Sequence, residues 1–440
     1  KRSSHCGKLI ALVVLVSLVF AALTPTAAFA EGDIPEAPPA EAPPEVEEGV
    51  TEAVELLAES GAVIVQDGEP LPLASQGALD GLCDPDPWYY GAKCPSGICQ
   101  YRWEDVGEGP YSLEHALDDW ADNQGYGFIT IEGYEVPYLL DHYPTIDALD
   151  GFGALKGFIG VQGPSGATPT INGSFTLYNF AAGFTVQGLV ITSNTSDPGL
   201  KFVTTKGTIK IIDTELSGST EEGLRIEDHK GAVELNRVSV HDNDKAGIFI
   251  DNCNKVVDSC GYVGPVKITN STSFNNGLIA TPAEGIYIIS GGAITLNGVS
   301  AFGNNGTGLK ANSYGSLTIK NSAFQNNRAN IVNDYSLSRG FGIRTADDSR
   351  GNILLENVLV QGNGKSGMWL YTNTGSITLK KVQAIGNGLD TNNPERRYGV
   401  EIGDHEALYP AKKEGALNVT ISDSLFTGNY SDNLRIHAKG

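Results

Sequence analysis

From about residue 150 onward, short runs of alternating apolar and polar residues follow one another, separated by glycine and asparagine. Many of these units end in asparagine and continue as Gly-apolar-x-apolar, as in Gly247-Ile-Phe-Ile250 and Gly308-Leu-Lys-Ala311. Alternation with a period of two predicts strands that bury one face. Units that contain only strands and recur, at their closest, about every 20–25 residues are typical of a solenoid. The pattern therefore predicts a parallel β-helix.

One asparagine closes the same turn in successive units and predicts how the coils align. Asparagine tolerates left-handed turn geometry, and stacked side-chain amides can hydrogen-bond from one coil to the next. We therefore expect a single internal ladder. Its predicted rungs are Asn243, Asn276, Asn304, Asn326, Asn363, Asn387 and Asn429.

The chain has 440 residues and a net charge of −22. Nucleic acid is excluded as a partner, because phosphate binding needs a basic surface. The histidines are scattered without zinc-type spacing, and neither a P-loop nor a nucleophile-elbow motif is present. We predict no resident cofactor and leave calcium open. The segment His241-Asp242-Asn243-Asp244 is rich in oxygen ligands, but it falls in the predicted ladder turn, and we interpret it as a turn.

The first thirty residues have the pattern of a secretory signal peptide rather than of a folded element. A basic start with Lys1, Arg2 and Lys8 precedes the apolar run Leu9–Leu23, and small residues precede Glu31. An uncleaved membrane anchor is the alternative for this segment. No later segment is apolar and long enough to span a membrane.

Three further regions follow from composition and periodicity. Residues 31–49 form a linker rich in Pro, Glu and Ala, and 50–110 form a small cysteine-containing region. Residues 111–440 form the solenoid, with a helix from Ser112 that caps its first coil and a strand at Phe128-Ile-Thr-Ile131. Because the chain begins with Lys1 rather than Met and stops at Gly440 directly after a strand, we expect it to be a fragment of a longer protein, with the solenoid truncated at its C-terminus.

The cysteines favour an extracellular protein. Cys253 and Cys260 flank a short loop, and we predict that they form a disulfide bond. The pairing of Cys83, Cys94 and Cys99 stays open. Disulfide bonds persist in oxidising compartments, which agrees with a signal peptide.

Two segments after the Ser112 helix carry a family resemblance. The stretches Gly151-Phe-Gly-Ala-Leu-Lys-Gly-Phe-Ile-Gly160 and Gly183-Phe-Thr-Val-Gln-Gly-Leu-Val-Ile-Thr-Ser-Asn194 resemble the start of pectin-lyase-like proteins. The resemblance implies an all-β, right-handed parallel β-helix with an N-terminal capping helix. It leaves function open, because the superfamily includes polysaccharide lyases, glycoside hydrolases, uronate epimerases and non-catalytic adhesin segments.

The enzyme signatures of that superfamily are mostly absent. Galacturonan hydrolases carry Asn-Thr-Asp, Asp-Asp, Gly-His-Gly and Arg-x-Lys elements. Of these only the Asp-Asp element is present here, as in Asp347-Asp348, and the Asp-Pro-His element of the epimerases is missing. Calcium-dependent lyases need clustered carboxylates and a basic residue. Asp228, Asp251 and Arg344 would supply such a set, but the sequences around them do not match that family.

The outward residues of the Gly-apolar-x-apolar strands mix aromatic and charged side chains. The first predicted row is Arg225, Phe249, Tyr287, Lys310, Arg344, Trp369, Glu401 and Arg435. The second is Glu227, Asp251, Asn312, Tyr371 and His437. The loops Gly277–Glu284, Asn327–Phe341, Gly388–Tyr398, Cys253–Gly264 and Asp404–Gly415 are expected to stack into two walls beside these rows, which would make a groove.

Aromatic rings stack on sugars, and cations bind carboxylates, so this groove suits an acidic or neutral oligosaccharide. The predicted substrate-binding residues are Tyr287, Lys310, Arg344, Trp369 and Tyr371. Alternatively, the loops cover the aromatic residues, which are then simply core. We predict a secreted or cell-surface module that binds glycans or mediates adhesion within a larger surface protein. A polysaccharide lyase or glycoside hydrolase acting on an acidic polysaccharide is the alternative.

Overall fold

The computed structural model describes residues 170–437, except 180–182, 254, 257–258, 278–282, 329–339, 346–348, 391–396 and 404–415, together with five short strands between 101 and 162. All of these residues belong to one compact unit, Ser75–Gly440. The predicted signal peptide, the linker, the capping helix and Cys83, Cys94 and Cys99 lie outside the described residues. In the part of the chain that is described, we find no helix that could cross a membrane.

The strands wind in repeating coils, and each complete coil supplies one strand to each of three faces. Strands of successive coils pair in parallel. Face 1 consists of β1 (Tyr101–Arg102), β2 (Gly127–Thr130), β5 (Ile159–Gln162), β8 (Phe184–Gln187), β11 (Ile209–Ile212), β14 (Val233–Asn236), β19 (Val266–Thr269), β22 (Ile294–Asn297) and β31 (Val419–Ser422). Face 2 consists of β3 (Tyr138–Leu139), β6 (Thr170–Asn172), β9 (Val190–Thr192), β12 (Glu215–Ser217), β15 (Ser239–His241), β20 (Thr272–Phe274), β23 (Ser300–Phe302) and β32 (Leu425–Thr427).

Three longer strands bend around the corner and belong to both of these faces, which makes them one 20-stranded sheet. They are β25 (Leu317–Gln325), β27 (Ile353–Gln361) and β29 (Ile377–Ile385). Face 3 is a separate 11-stranded parallel sheet. It consists of β4 (Thr145–Asp147), β7 (Phe175–Tyr178), β10 (Leu200–Val203), β13 (Leu224–Glu227), β16 (Ile248–Asn252), β21 (Ile286–Ser290), β24 (Leu309–Ser313), β26 (Ile343–Thr345), β28 (Met368–Leu370), β30 (Val400–Ile402) and β33 (Leu434–Ile436). The predicted all-β, parallel architecture is confirmed.

The core runs through the inside of the coils and follows from strand alternation. On face 3 the inward residues, which alternate along the strands with the predicted outward rows, are fully buried: Ile248, Ile250, Ile286, Ile288, Leu309, Ile343, Leu370, Val400 and Ile402. Burying a Leu or Ile side chain contributes about 1.5–3 kcal/mol relative to leaving it exposed. Each coil buries its apolar side chains against its neighbours, so stability accumulates along the helix axis.

The asparagine ladder lies where face 2 turns towards face 3. Each rung donates a hydrogen bond from Nδ2 to Oδ1 of the next rung at 2.9–3.1 Å. The same Oδ1 also accepts from the backbone N–H of the preceding rung at 3.0–3.3 Å. The rungs are Asn243, Asn276, Asn304, Asn327, Asn363, Asn387 and Asn429.

Six of the predicted rungs are therefore confirmed, and Asn326 is wrong. Asn326 is exposed and has a φ of 55°, whereas its neighbour Asn327 is buried and forms the rung. The error has a physical reason, because the tripeptide Ser-Ala-Phe occurs in β23 and in β25 in registers that differ by one residue. Phe302 is 37% exposed, whereas Phe324 is fully buried. A shift of one residue moves every side chain of a strand to the opposite face.

The glycine that opens each Gly-apolar-x-apolar strand is required by the ladder. A Cβ atom on Gly285 would lie 2.5 Å from Nδ2 of Asn304, and one on Gly367 would lie 2.7 Å from Nδ2 of Asn387. A Cβ atom does not make non-bonded contacts this short, so a larger residue would push the rung aside. The glycine and the asparagine of the sequence motif are thus two halves of one packing unit.

The predicted bond between Cys253 and Cys260 is confirmed, with 4.6 Å between their Cα atoms. It closes a small antiparallel hairpin of β17 (Lys255–Val256) and β18 (Ser259–Cys260), which projects from the end of β16.

Candidate functional site

The outward side chains of face 3 form one continuous row along the helix axis. Strand pairing aligns one residue from each coil, in the order Lys201, Arg225, Phe249, Tyr287, Lys310, Arg344, Trp369, Glu401 and Arg435. Neighbouring strands lie about 4.8 Å apart, so each residue is next to its counterparts in the adjacent coils. The predicted alignment is confirmed, and Lys201 extends it by one coil.

In the first half of this row two neighbouring aromatic rings, Phe249 and Tyr287, are flanked by a cation on each side. The Arg225 guanidinium carbon lies 5.3 Å from the centroid of the Phe249 ring, and Nζ of Lys310 lies 4.1 Å from that of Tyr287. The two rings meet edge to face with their centroids 5.4 Å apart. All four side chains are half-buried. We call this four-residue segment, Arg225, Phe249, Tyr287 and Lys310, the face 3 stack.

Carboxylates flank the cations of the stack. Arg225 donates to Glu227 from Nε and Nη2, and Nη1 lies 3.3 Å from Glu222. Lys310 lies 3.4 Å from Glu284. Burial lowers the pKa of Arg225, but hydrogen bonds and charge from Glu227 and Glu222 outweigh this effect and raise the pKa above its usual value. The guanidinium is therefore held as a fixed positive charge between two acids.

The aromatic side chains in the second half of the face are buried. Trp369 and Tyr371 are each only 2% exposed, so the prediction that they are accessible for substrate binding is wrong. The Trp369 ring packs 5.8 Å from that of Phe341, the Arg344 guanidinium lies 4.5 Å from it, and its Nε1 donates to the carbonyl of Gly403 at 3.0 Å. Strand alternation gave the direction of these side chains correctly, but it carries no information about what lies over them.

Of the predicted wall loops, Cys253–Gly264 is mostly described, whereas the other four fall mostly or wholly outside the described residues, so the walls stay a prediction. Asp347-Asp348 also lies outside the described residues. Among the described residues, no three His, Cys, Asp or Glu side chains lie close enough together to hold a metal ion. Oδ1 of Asp251 accepts from the backbone N–H of Cys253 at 3.0 Å. Asp242 has a left-handed φ of 54° directly before the buried ladder rung Asn243, which confirms the interpretation of this segment as a turn.

Face 2 carries an aromatic stack that the sequence reasoning missed. The rings of His241 and Phe274 are stacked with centroids 4.6 Å apart, and those of Phe274 and Phe302 with centroids 5.0 Å apart. A signal was present in the sequence, because each of the three residues stands two positions before a ladder asparagine. This stack offers a partly exposed aromatic surface on a different face for comparison with face 3.

The family model described as right handed beta helix region matches residues 202–439. Because the match covers more than half of the chain, the protein belongs to this right-handed β-helix family. A comparison with the curated proteins finds no significant match.

Solved structures with similar coils have low sequence identity. The A-module of the mannuronan C-5 epimerase AlgE4 from Azotobacter vinelandii is 13% identical, with 75% of this chain and 94% of that chain covered and a TM-score of 0.40. Pectate lyase Pel9A is 15% identical, with 68% and 70% covered and a TM-score of 0.39. The catalytic domain of a GH87 alpha-1,3-glucanase, in complex with nigerose, is 12% identical, with 74% and 66% covered and a TM-score of 0.35. Similarity at this level assigns neither a substrate nor a reaction to this chain.

Proposed function

We propose that the protein is a non-catalytic module that binds polysaccharide on face 3, with the face 3 stack at the centre of the contact. The observation that carries this proposal is a pair of aromatic rings in contact with a cation on each side, all in one half-buried row. Sugar rings present C–H groups that pack on aromatic side chains and hydroxyl groups that hydrogen-bond to charged ones. A row that contains both kinds of group suits a chain of sugars.

The shape of the surface supports a chain-like ligand. The four residues of the stack come from four successive coils, so they extend about 14 Å along the helix axis. They project from strands paired on both sides, and strands hold side chains more rigidly than loops do. A ligand that lies along the axis meets contacts that are already in place, which lowers the entropic cost of binding.

We also propose that the protein works outside the cytoplasm, either secreted or on the cell surface. The bond between Cys253 and Cys260 supports this location, because structural disulfides are rare where thiols are kept reduced.

The test replaces Tyr287, the ring at the centre of the stack. A polysaccharide that retards the protein in affinity gels is first selected and then used in calorimetric titrations. Tyr287→Ala should lose about 1–3 kcal/mol of binding free energy, which is an increase of about 5–150-fold in Kd. The matched control is Phe274→Ala, which removes a half-buried stacked ring from face 2 and should leave Kd unchanged. Equal Kd values for wild type and Tyr287→Ala, with both proteins folded, would refute the proposal.

A polysaccharide lyase or hydrolase is the second candidate, and Glu401 favours it. This carboxylate lies in the same outward row, aligned between Trp369 and Arg435, and it is fully buried. Buried acids in a cleft are frequent at catalytic sites, although structural ion pairs bury acids as well. We expect no reducing ends and no unsaturated uronic acid after prolonged incubation with neutral and acidic polysaccharides. If the wild-type protein releases either product and Glu401→Gln does not, the result would favour an enzyme over a binding module.

A further inference from the structure

The hydrogen-bonding edges of Arg225 are already occupied by the protein's own acids. Nε and Nη2 donate to the same Glu227 oxygen at 2.9 and 2.8 Å, and Nη1 donates to the two Glu222 oxygens at 3.4 and 3.3 Å. A guanidinium recognises a ligand carboxylate through two parallel N–H groups on one edge. At Arg225 neither edge is free for that geometry.

Lys201 and Lys310, the two lysines of the outward row, also form ion pairs with acids. Nζ of Lys201 lies 3.4 Å from the second oxygen of Glu227, so this carboxylate bridges two neighbouring coils. Nζ of Lys310 lies 3.4 Å from Glu284. From Lys201 to Lys310, the outward surface thus pairs three cations with three carboxylates. These side chains are mostly buried, so solvent screens their charges less than it would at an open surface.

A ligand carboxylate or sulfate would meet two obstacles here. It would have to displace Glu222, Glu227 or Glu284 from its cation, and it would then lie beside an acid of like charge, which weakens binding. The protein as a whole carries a net charge of −22, so its long-range field also slows the approach of a polyanion.

A neutral sugar meets neither obstacle. A hydroxyl group both donates and accepts, so it can donate to a free lone pair of Glu222 or Glu284 while it accepts from a lysine. The ion pairs stay intact and become part of the binding surface, and the Phe249 and Tyr287 rings supply the apolar contact.

We infer that the face 3 stack selects an uncharged polysaccharide, because the acids Glu222, Glu227 and Glu284 neutralise the cations of the row from Lys201 to Lys310. This inference rests on the proposed function and narrows it to a ligand class.

The first experiment compares ligand classes. Retardation in affinity gels is measured with neutral polysaccharides (a glucan, a galactan and a mannan) and acidic ones (galacturonan, alginate and a sulfated galactan). We expect retardation by a neutral polysaccharide and none by the acidic ones. Binding of the wild-type protein to an acidic polysaccharide as tightly as to any neutral one would overturn the inference while leaving the proposed function standing. Binding to no polysaccharide would overturn both.

The second experiment releases the cations. In the double variant Glu227→Gln with Glu284→Gln, Lys201 and Lys310 lose their acidic partners. Retardation by galacturonan, which we expect to be absent in the wild type, should appear in this variant at low salt and disappear at high salt. The matched control is Glu356→Gln on face 1, where the acid is likewise paired with two lysines, Lys320 and Lys380, and no gain is expected. No gain in the double variant, or an equal gain in the control, would overturn the inference.

Discussion

Replacing one rung of the asparagine ladder should destabilise the protein far more than replacing the asparagine beside it. Nδ2 of Asn327 donates to Asn363 Oδ1 at 3.1 Å and to the carbonyl of Ala301 at 3.0 Å. Its Oδ1 accepts from the backbone N–H of Asn304 at 3.2 Å and from Nδ2 of Asn304 at 3.0 Å. Asn327→Ala removes all four bonds and leaves two buried donors of Asn304 without this acceptor. At about 1–3 kcal/mol for each orphaned donor, the expected loss of unfolding free energy is about 4 kcal/mol.

The matched control is Asn326→Gly, one position earlier. Asn326 is exposed and has a left-handed φ of 55°, a conformation that glycine adopts without strain. This variant should stay within about 1 kcal/mol of wild type. Urea unfolding followed by circular dichroism measures both changes, and equal slopes with denaturant allow the free energies to be compared directly. A larger loss in Asn326→Gly than in Asn327→Ala would show that the ladder register is wrong.

Two further predictions concern the ladder glycine and an ion pair on face 1. Gly367→Ala should lower the unfolding free energy by more than about 1 kcal/mol in the same urea assay, because the new Cβ would lie 2.7 Å from both Asn387 Nδ2 and the Gly399 carbonyl oxygen. The control is Gly364→Ala in the same coil, which should change the unfolding free energy little, because its Cβ would meet nothing closer than 3.4 Å. Equal losses in the two variants would contradict the packing argument. Hydrogen bonds from Lys380 and Lys320 lower the pKa of Glu356 from 4.5 to about 2, so its stabilising contribution is complete above pH 4.5 and is lost as the pH falls through about 2. Glu356→Gln should therefore be less stable than wild type at pH 7, and the difference should shrink as the pH falls from 4.5 towards 2. A difference that does not depend on pH would contradict this.

The periodic part of the fold could be predicted from the sequence, because each coil repeats the same constraints. The alternation of apolar and polar residues identified the inward side of the face 3 strands. The asparagine that closes the same turn in successive coils identified six ladder rungs. Asn326 failed because two adjacent asparagines fit the turn equally well, and only the pairing of Ser300 with Ala323 decides between them. The register of a strand that is set by its pairing with the neighbouring coil cannot be predicted from the sequence of that strand alone.

The candidate site was less predictable, because accessibility depends on what lies above a strand. Trp369 points outward as expected and is nevertheless buried. Glu222 and Glu284 do not stand out in the sequence, although each directly precedes a glycine that faces the ladder. Their effect on the row appears only once Arg225 and Lys310 are seen to lie beside them.

Hydroxyl-radical footprinting tests most directly whether face 3 is the binding surface. The oxidation rates of Phe249 and Tyr287 are measured by mass spectrometry with and without saturating amounts of the neutral polysaccharide that binds most tightly. The rates of Phe274 and Phe302 on face 2 provide the internal comparison. We expect protection of Phe249 and Tyr287 and unchanged oxidation of the two face 2 residues. Protection of Phe274 and Phe302, with Phe249 and Tyr287 unchanged, would contradict the account.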